Sequence, residues 1–178
     1  FEPDSKYRYS NAGINTAARI IEVVAGMPFE TFLDRRLFEP LGMKDTTFWP
    51  TAEQVARIAK AYKPGPDKRG LAETNIDQLY YPLSDRMQRF PMPAGGLFAT
   101  ARDLCRFYQM LLNDGQLDGK RYLSEAAVRQ MTSRQTAPGL NGYGFGMGVG
   151  DHFFGHGGAY STNSTADTQR GLILVWLV

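Results

Sequence analysis

Tyr9, Ser10 and Asn11 stand just ahead of a run of apolar residues with helical spacing, where a loop delivers side chains to a helix N-terminus. Ser10 and Asn11 are both good N-cap residues, with Tyr9 packing beside them, and that structural reading stands next to a chemical one. Near the other end, Gly155, His156, Gly157, Gly158 and Ala159 set an imidazole among small residues. Glycines let a substrate approach backbone N–H groups closely, and histidine donates or carries a proton near neutral pH. A glycine-rich hairpin with an incidental histidine has the same composition. His152, four residues earlier, reads as an exposed turn residue: two histidines without a carboxylate cluster or thiols make a poor metal site. No metal or cofactor is expected.

These side chains depend on elements that the periodicity outlines. Ile14, Ala17, Ala18, Ile21, Val24 and Ala25 predict a helix stopped by Gly26. Phe29, Phe32, Leu33 and Leu37 predict a second, opened by Pro28 and ending before Pro40 and Gly42. A short helix follows Thr51, and residues 63–93, rich in Pro, Gly, Asp and Arg, read as a long irregular loop. Thr100 with Asp103 resembles a capping box ahead of Leu104, Phe107, Tyr108 and Leu111, and Ser124 caps one more helix. After Pro138 the period becomes two. Tyr143, Phe145, Met147 and Val149 alternate with glycines, predicting a strand whose bare face is closely approached. Phe153 with Phe154, and residues 171–178, add two more strands. The expectation is an α+β arrangement: a mainly helical region over 1–140 and about three antiparallel strands over 141–178.

The whole composition sets bounds. The 178 residues, 43% hydrophobic and 21% charged, suffice for one core. Twenty Lys and Arg against eighteen Asp and Glu leave a charge of +2, too small an excess to imply a nucleic-acid partner or an anionic membrane. No apolar run approaches the ~20 residues of a membrane span. The single cysteine, Cys105, excludes an internal disulfide and reads as a small core residue. The chain opens without Met and stops inside a strand-like run, so a fragment is expected, with an open sheet edge that invites self-association.

Taken in order, several motifs resemble the penicillin-recognising serine hydrolases, the group of serine β-lactamases, DD-peptidases and β-lactamase-related esterases. Tyr9-Ser10-Asn11 matches the Tyr-x-Asn signature of the class C-like branch, and His156-Gly157-Gly158 matches the His-x-Gly form of the third signature. Phe1-Glu2-Pro3 and the residues up to Asn11, Phe38-Glu39-Pro40-Leu41-Gly42-Met43 and Ala94-Gly95-Gly96-Leu97-Phe98-Ala99-Thr100 also look like that family. The likeness covers nearly the whole chain. The first signature, Ser-x-x-Lys, is missing: Ser5, Ser10, Ser84, Ser124, Ser133, Ser161 and Ser164 all lack a lysine three places on.

The resemblance implies a β-lactamase/transpeptidase-like fold, incomplete here, with at least one strand and a closing helix beyond Val178. It implies hydrolysis of an ester, amide or β-lactam through an acyl-enzyme on the absent serine. Tyr9 would be the proton shuttle and Asn11 would orient the substrate. His156 would hydrogen-bond near Tyr9 or the substrate. Gly157 and Gly158 would admit the substrate, and the Ala159 N–H would form half of an oxyanion hole. A phenol titrates near about 10, so a tyrosine base needs a nearby cation, which the absent lysine supplies. A neutral histidine where many relatives carry lysine attracts a substrate carboxylate less, which tilts the expectation towards esters or small peptides. By itself the chain is expected to be inactive. The alternative is a pseudoenzyme or binding module that keeps the fold without catalysis. Relatives are commonly exported, which tilts the expectation towards a periplasmic or extracellular location while the sequence leaves it open.

Overall fold

The computed structural model describes residues 1–76, 79–83 and 85–177. Helix α1, Asn11–Ala25, starts at Ser10, whose hydroxyl accepts from the Gly13 N–H at 3.3 Å, and ends at Gly26. Gly26 takes the left-handed conformation (φ 65°) that a side chain disfavours. After it come α2 (Phe29–Leu33), a π-helical turn (Asp34–Phe38) and α3 (Glu39–Leu41) in one continuous run. Pro40 was expected to end this helix; instead it is absorbed. Proline has no N–H to give to the preceding turn. The chain widens there, so Glu39 N–H bonds Asp34 C=O and Met43 N–H bonds Phe38 C=O at 2.9 Å, each five residues back.

Helix α4 (Ala52–Val55) carries a complete capping box between Thr51 and Gln54. The irregular loop expected over 63–93 contains a hairpin, β1 (Ala61–Pro64) with β2 (Leu71–Thr74). Its strands are short and exposed and therefore carry no core periodicity. The stretch after β2 is fixed near its far end, where Ala94 N–H donates to Asn15 Oδ1 of α1 at 3.2 Å and Phe98 pairs with Thr47. Helix α5, Ala101–Leu112, is capped by Thr100 as expected, but Asp103 does not complete a box. Its buried carboxylate instead accepts from Asp45 N–H at 2.8 Å and from the Thr46 hydroxyl at 2.9 Å. A two-residue hairpin, β3 (Gln116–Leu117) and β4 (Lys120–Arg121), turns through Asp118 and Gly119, both at positive φ. Helix α6, Glu125–Thr132, is capped by Ser124.

The chain ends in a four-stranded antiparallel sheet in sequence order: β5 (Gly148–Val149), β6 (Phe153–Gly157), β7 (Asn163–Asp167) and β8 (Leu172–Trp176). This is one strand more than the three apolar runs suggested. The extra strand, β7, is polar and is stabilised through its ladder. Register aligns Phe154, Ala166 and Ile173 on one face, where α5 covers them. Tyr108 of α5 stacks on Phe154 with ring centroids 5.8 Å apart and donates its hydroxyl to the Ser164 carbonyl of β7 at 3.0 Å. Leu41, Met43, Leu111, Val128 and Val149 complete the core, each contributing about 2 kcal/mol by leaving water. On the other face, Phe153, Leu172, Leu174 and Trp176 are half or more exposed. Cys105 is half-buried.

The glycine-alternating run does not extend as a strand over its length. Gly146 turns at φ 84°, Gly144 N–H bonds Met147 C=O, and only Gly148–Val149 joins the sheet. Something does approach the bare face, and it is the protein's own backbone: a Cβ on Gly144 would lie 2.0 Å from the Met131 carbonyl of α6. Among the described residues, no helix is long and apolar enough to cross a membrane. Val178, expected in the last strand, lies outside the described residues, as does Ser84.

Candidate active site

Ser10 is extended where it caps α1, and Tyr7 and Tyr9 stand just before it. Both rings meet Tyr143, Tyr7 at 5.4 Å and Tyr9 edge-on at 6.4 Å between centroids. Tyr9 also lies 5.8 Å from the His156 ring, tilted by 45°. Segments from the two ends of the chain thus converge on one aromatic cluster. Tyr9 is 55% exposed and open to a ligand. Asn11 is exposed at the first position of α1 and is placed beside Tyr9 by chain adjacency.

Strand β6 carries His156, and both ring nitrogens have partners. Nδ1 lies 2.5 Å from the Gly157 carbonyl and Nε2 lies 3.0 Å from the Tyr143 hydroxyl. A carbonyl can only accept, so Nδ1 carries a proton; in the neutral ring Nε2 then accepts, and Tyr143 donates to it. Tyr143 is suited to hold that proton. Its burial, with smaller contributions from Tyr7 and Tyr9, pushes its phenol up to about 12.

Past Gly157, the chain turns through Gly158, Ala159, Tyr160 and Ser161 into β7, with Ser161 at φ 63° and Gly158 N–H bonded to Thr162 C=O at 2.7 Å. The two glycines differ. A Cβ on Gly157 would have no neighbour closer than 3.8 Å, so the backbone there is open to an incoming group. A Cβ on Gly158 would lie 2.0 Å from the Thr162 hydroxyl, so a side chain there meets the turn's own packing. His152 is an exposed bend residue whose carbonyl accepts from Thr168. Among the described residues, no group of three His, Cys, Asp or Glu is placed to hold a metal.

Sequence reasoning singled out Tyr9, Asn11, His156, Gly157, Gly158 and Ala159, and the structure brings Tyr9 to His156, with the Gly157–Ala159 turn directly beyond. It did not single out Tyr143. The available signal was a tyrosine opening a run of glycines, since a half-buried tyrosine hydroxyl needs a polar partner.

Comparison with known proteins agrees with the fold. A family profile described as Beta-lactamase matches residues 1–178. An uncharacterised protein of Mycobacterium tuberculosis is 32% identical over 204 residues, covering 99% of this chain and 49% of its own length. Penicillin-binding protein 4 of Amycolatopsis lactamdurans is 34% identical over 158 residues, covering 88% of this chain and 38% of its own. Among solved structures, the D-amino acid amidase of Ochrobactrum anthropi SV3 superposes with a TM-score of 0.69 at 27% identity, over 98% of this chain and 52% of that one. The chain spans half or less of the curated relatives named here. With the profile matching from end to end and the sheet and helices arranged as in these structures, the chain belongs to the Beta-lactamase family and has its α+β, β-lactamase/transpeptidase-like fold.

Proposed function

We propose that the polypeptide carrying this chain hydrolyses an ester or amide through an acyl-enzyme, with the nucleophile supplied by a Ser-x-x-Lys motif outside these 178 residues. The observation that carries this reading is the meeting of Tyr9 and His156, 5.8 Å apart between ring centroids, from opposite ends of the chain. The serine oxygen bonds to the substrate carbonyl carbon while its proton passes to the Tyr9 oxygen, which is either a phenolate held by the lysine ammonium or a phenol that hands its own proton to the neutral lysine amine. The tetrahedral oxyanion is met by backbone N–H groups, one of them from Ala159. The leaving alcohol or amine takes the proton and departs, and water then attacks the acyl-enzyme to release the acid. Asn11 orients the substrate, and the open backbone at Gly157 lets it lie alongside β6. Histidine in the third motif favours esters and small amides over anionic β-lactams. A binding module that keeps the fold without catalysis is the second reading.

A fluorophosphonate probe with a chromogenic ester tests both. The natural polypeptide should be labelled at a serine outside this chain and turn over the ester, and Tyr9→Phe should slow acylation by about a hundredfold or more, the usual range for lost acid–base help. The 178 residues alone should be neither labelled nor active. Labelling of the isolated chain at one of its own serines would overturn the assignment, and an unlabelled, inactive natural polypeptide would favour the binding module.

A further inference from the structure

The resemblance implies that His156 offers a nitrogen to Tyr9 or the substrate, but both nitrogens are engaged within the protein. Nδ1 is engaged by the Gly157 carbonyl and Nε2 by the Tyr143 hydroxyl, so the ring turns its face and edge towards Tyr9. We propose that Tyr143 is a positioning residue: by donating to Nε2 it fixes His156 as the Nδ1–H tautomer, and through the Nδ1–H bond to the Gly157 carbonyl it holds the backbone that leads into Ala159. The inference rests on the functional reading above only in giving that backbone a catalytic use; the hydrogen-bond relay stands on the geometry.

Tyr143 is itself held in place on several sides. Its carbonyl accepts from Gln135 N–H at 2.8 Å, its backbone bridges to Gly148 at the start of β5, and its ring is flanked by Tyr7 and Tyr9. The hydroxyl therefore arrives at Nε2 from a fixed frame. Its burial keeps the proton on oxygen, which the donor role requires. The chain of contacts links the segment before α1, the turn before β5 and the end of β6. It gives the imidazole a structural task that lysine, with a flexible ammonium and no acceptor, cannot perform in the same way.

The tautomer can be read directly. In the natural polypeptide, long-range proton–nitrogen NMR distinguishes the protonated from the unprotonated ring nitrogen, with the His156 signals assigned by their loss in His156→Gln. In the neutral ring we expect Nδ1 to be protonated and Nε2 unprotonated. Tyr143→Phe keeps the ring and removes only the hydroxyl, and should shift the tautomer ratio towards Nε2–H by about fivefold, the size of one net hydrogen bond. An Nε2–H tautomer in the unaltered protein overturns the proposal, whether or not the variant folds; so does a ratio unchanged in folded Tyr143→Phe. Neither measurement depends on turnover, so failure of the relay and failure of the hydrolase reading are told apart.

Discussion

A phenol that donates to an imidazole must keep its proton, and Tyr143 has a steep barrier to losing it. Its folded value of about 12 lies above the ordinary 10.0, with burial as the main cause and the neighbouring Tyr7 and Tyr9 adding to it. A raised folded value means that the stabilisation is complete below about 10 and is lost as pH rises towards about 12, because the unfolded chain ionises first. Chemical unfolding followed across that window should therefore show a loss of stability that is smaller in Tyr143→Phe. Equal slopes in the two proteins would remove Tyr143 as the source. At this scale the meeting of Tyr9 and His156 in the candidate site was legible, because both stand in recognisable triplets. Tyr143 was hidden because its role is a tertiary contact, and one tyrosine in a glycine run looks like strand filler until its partner is known.

Elements were legible where their ends carry their own chemistry. Ser10, Thr51, Thr100 and Ser124 all cap the helices expected of them, and Gly26 stops α1, because these are local hydrogen bonds and local φ preferences. What failed to show was set by distant partners. Strand β7 lacks an apolar pattern and exists through its two neighbours, while the β1–β2 hairpin lies outside the core. The run from Gly144 reads as strand but turns at Gly146, and Gly144 itself has no room for a side chain beside the Met131 carbonyl of α6. The β6–β7 turn offers a test of the same point. Gly158→Ala should destabilise the fold by about 2 kcal/mol through the clash with Thr162, and adding Thr162→Ala should recover most of that loss, as thermal or urea unfolding will show. No recovery in the double variant would mean that the turn backbone itself rejects a side chain.

For the whole molecule, the two faces of the sheet have different fates. One is covered by α5, while the other sets Leu172, Leu174 and Trp176 towards solvent at alternate positions of β8, with Phe153 of β6 beyond the polar strand β7. A row of exposed apolar side chains along one strand favours association. The 178-residue chain in isolation should self-associate with rising concentration, and Leu174→Lys should raise the concentration at which light scattering first detects particles larger than the monomer. A monomeric chain at all concentrations would show that the face is tolerated in water. Another feature bears on how such a protein can diversify. The stretch after β2 is secured at its start by the β1–β2 ladder and towards its end by Ala94 on Asn15 and Phe98 on Thr47. With both boundaries moored, changes of length between Thr74 and Ala94 need not disturb the helix start that presents Tyr9.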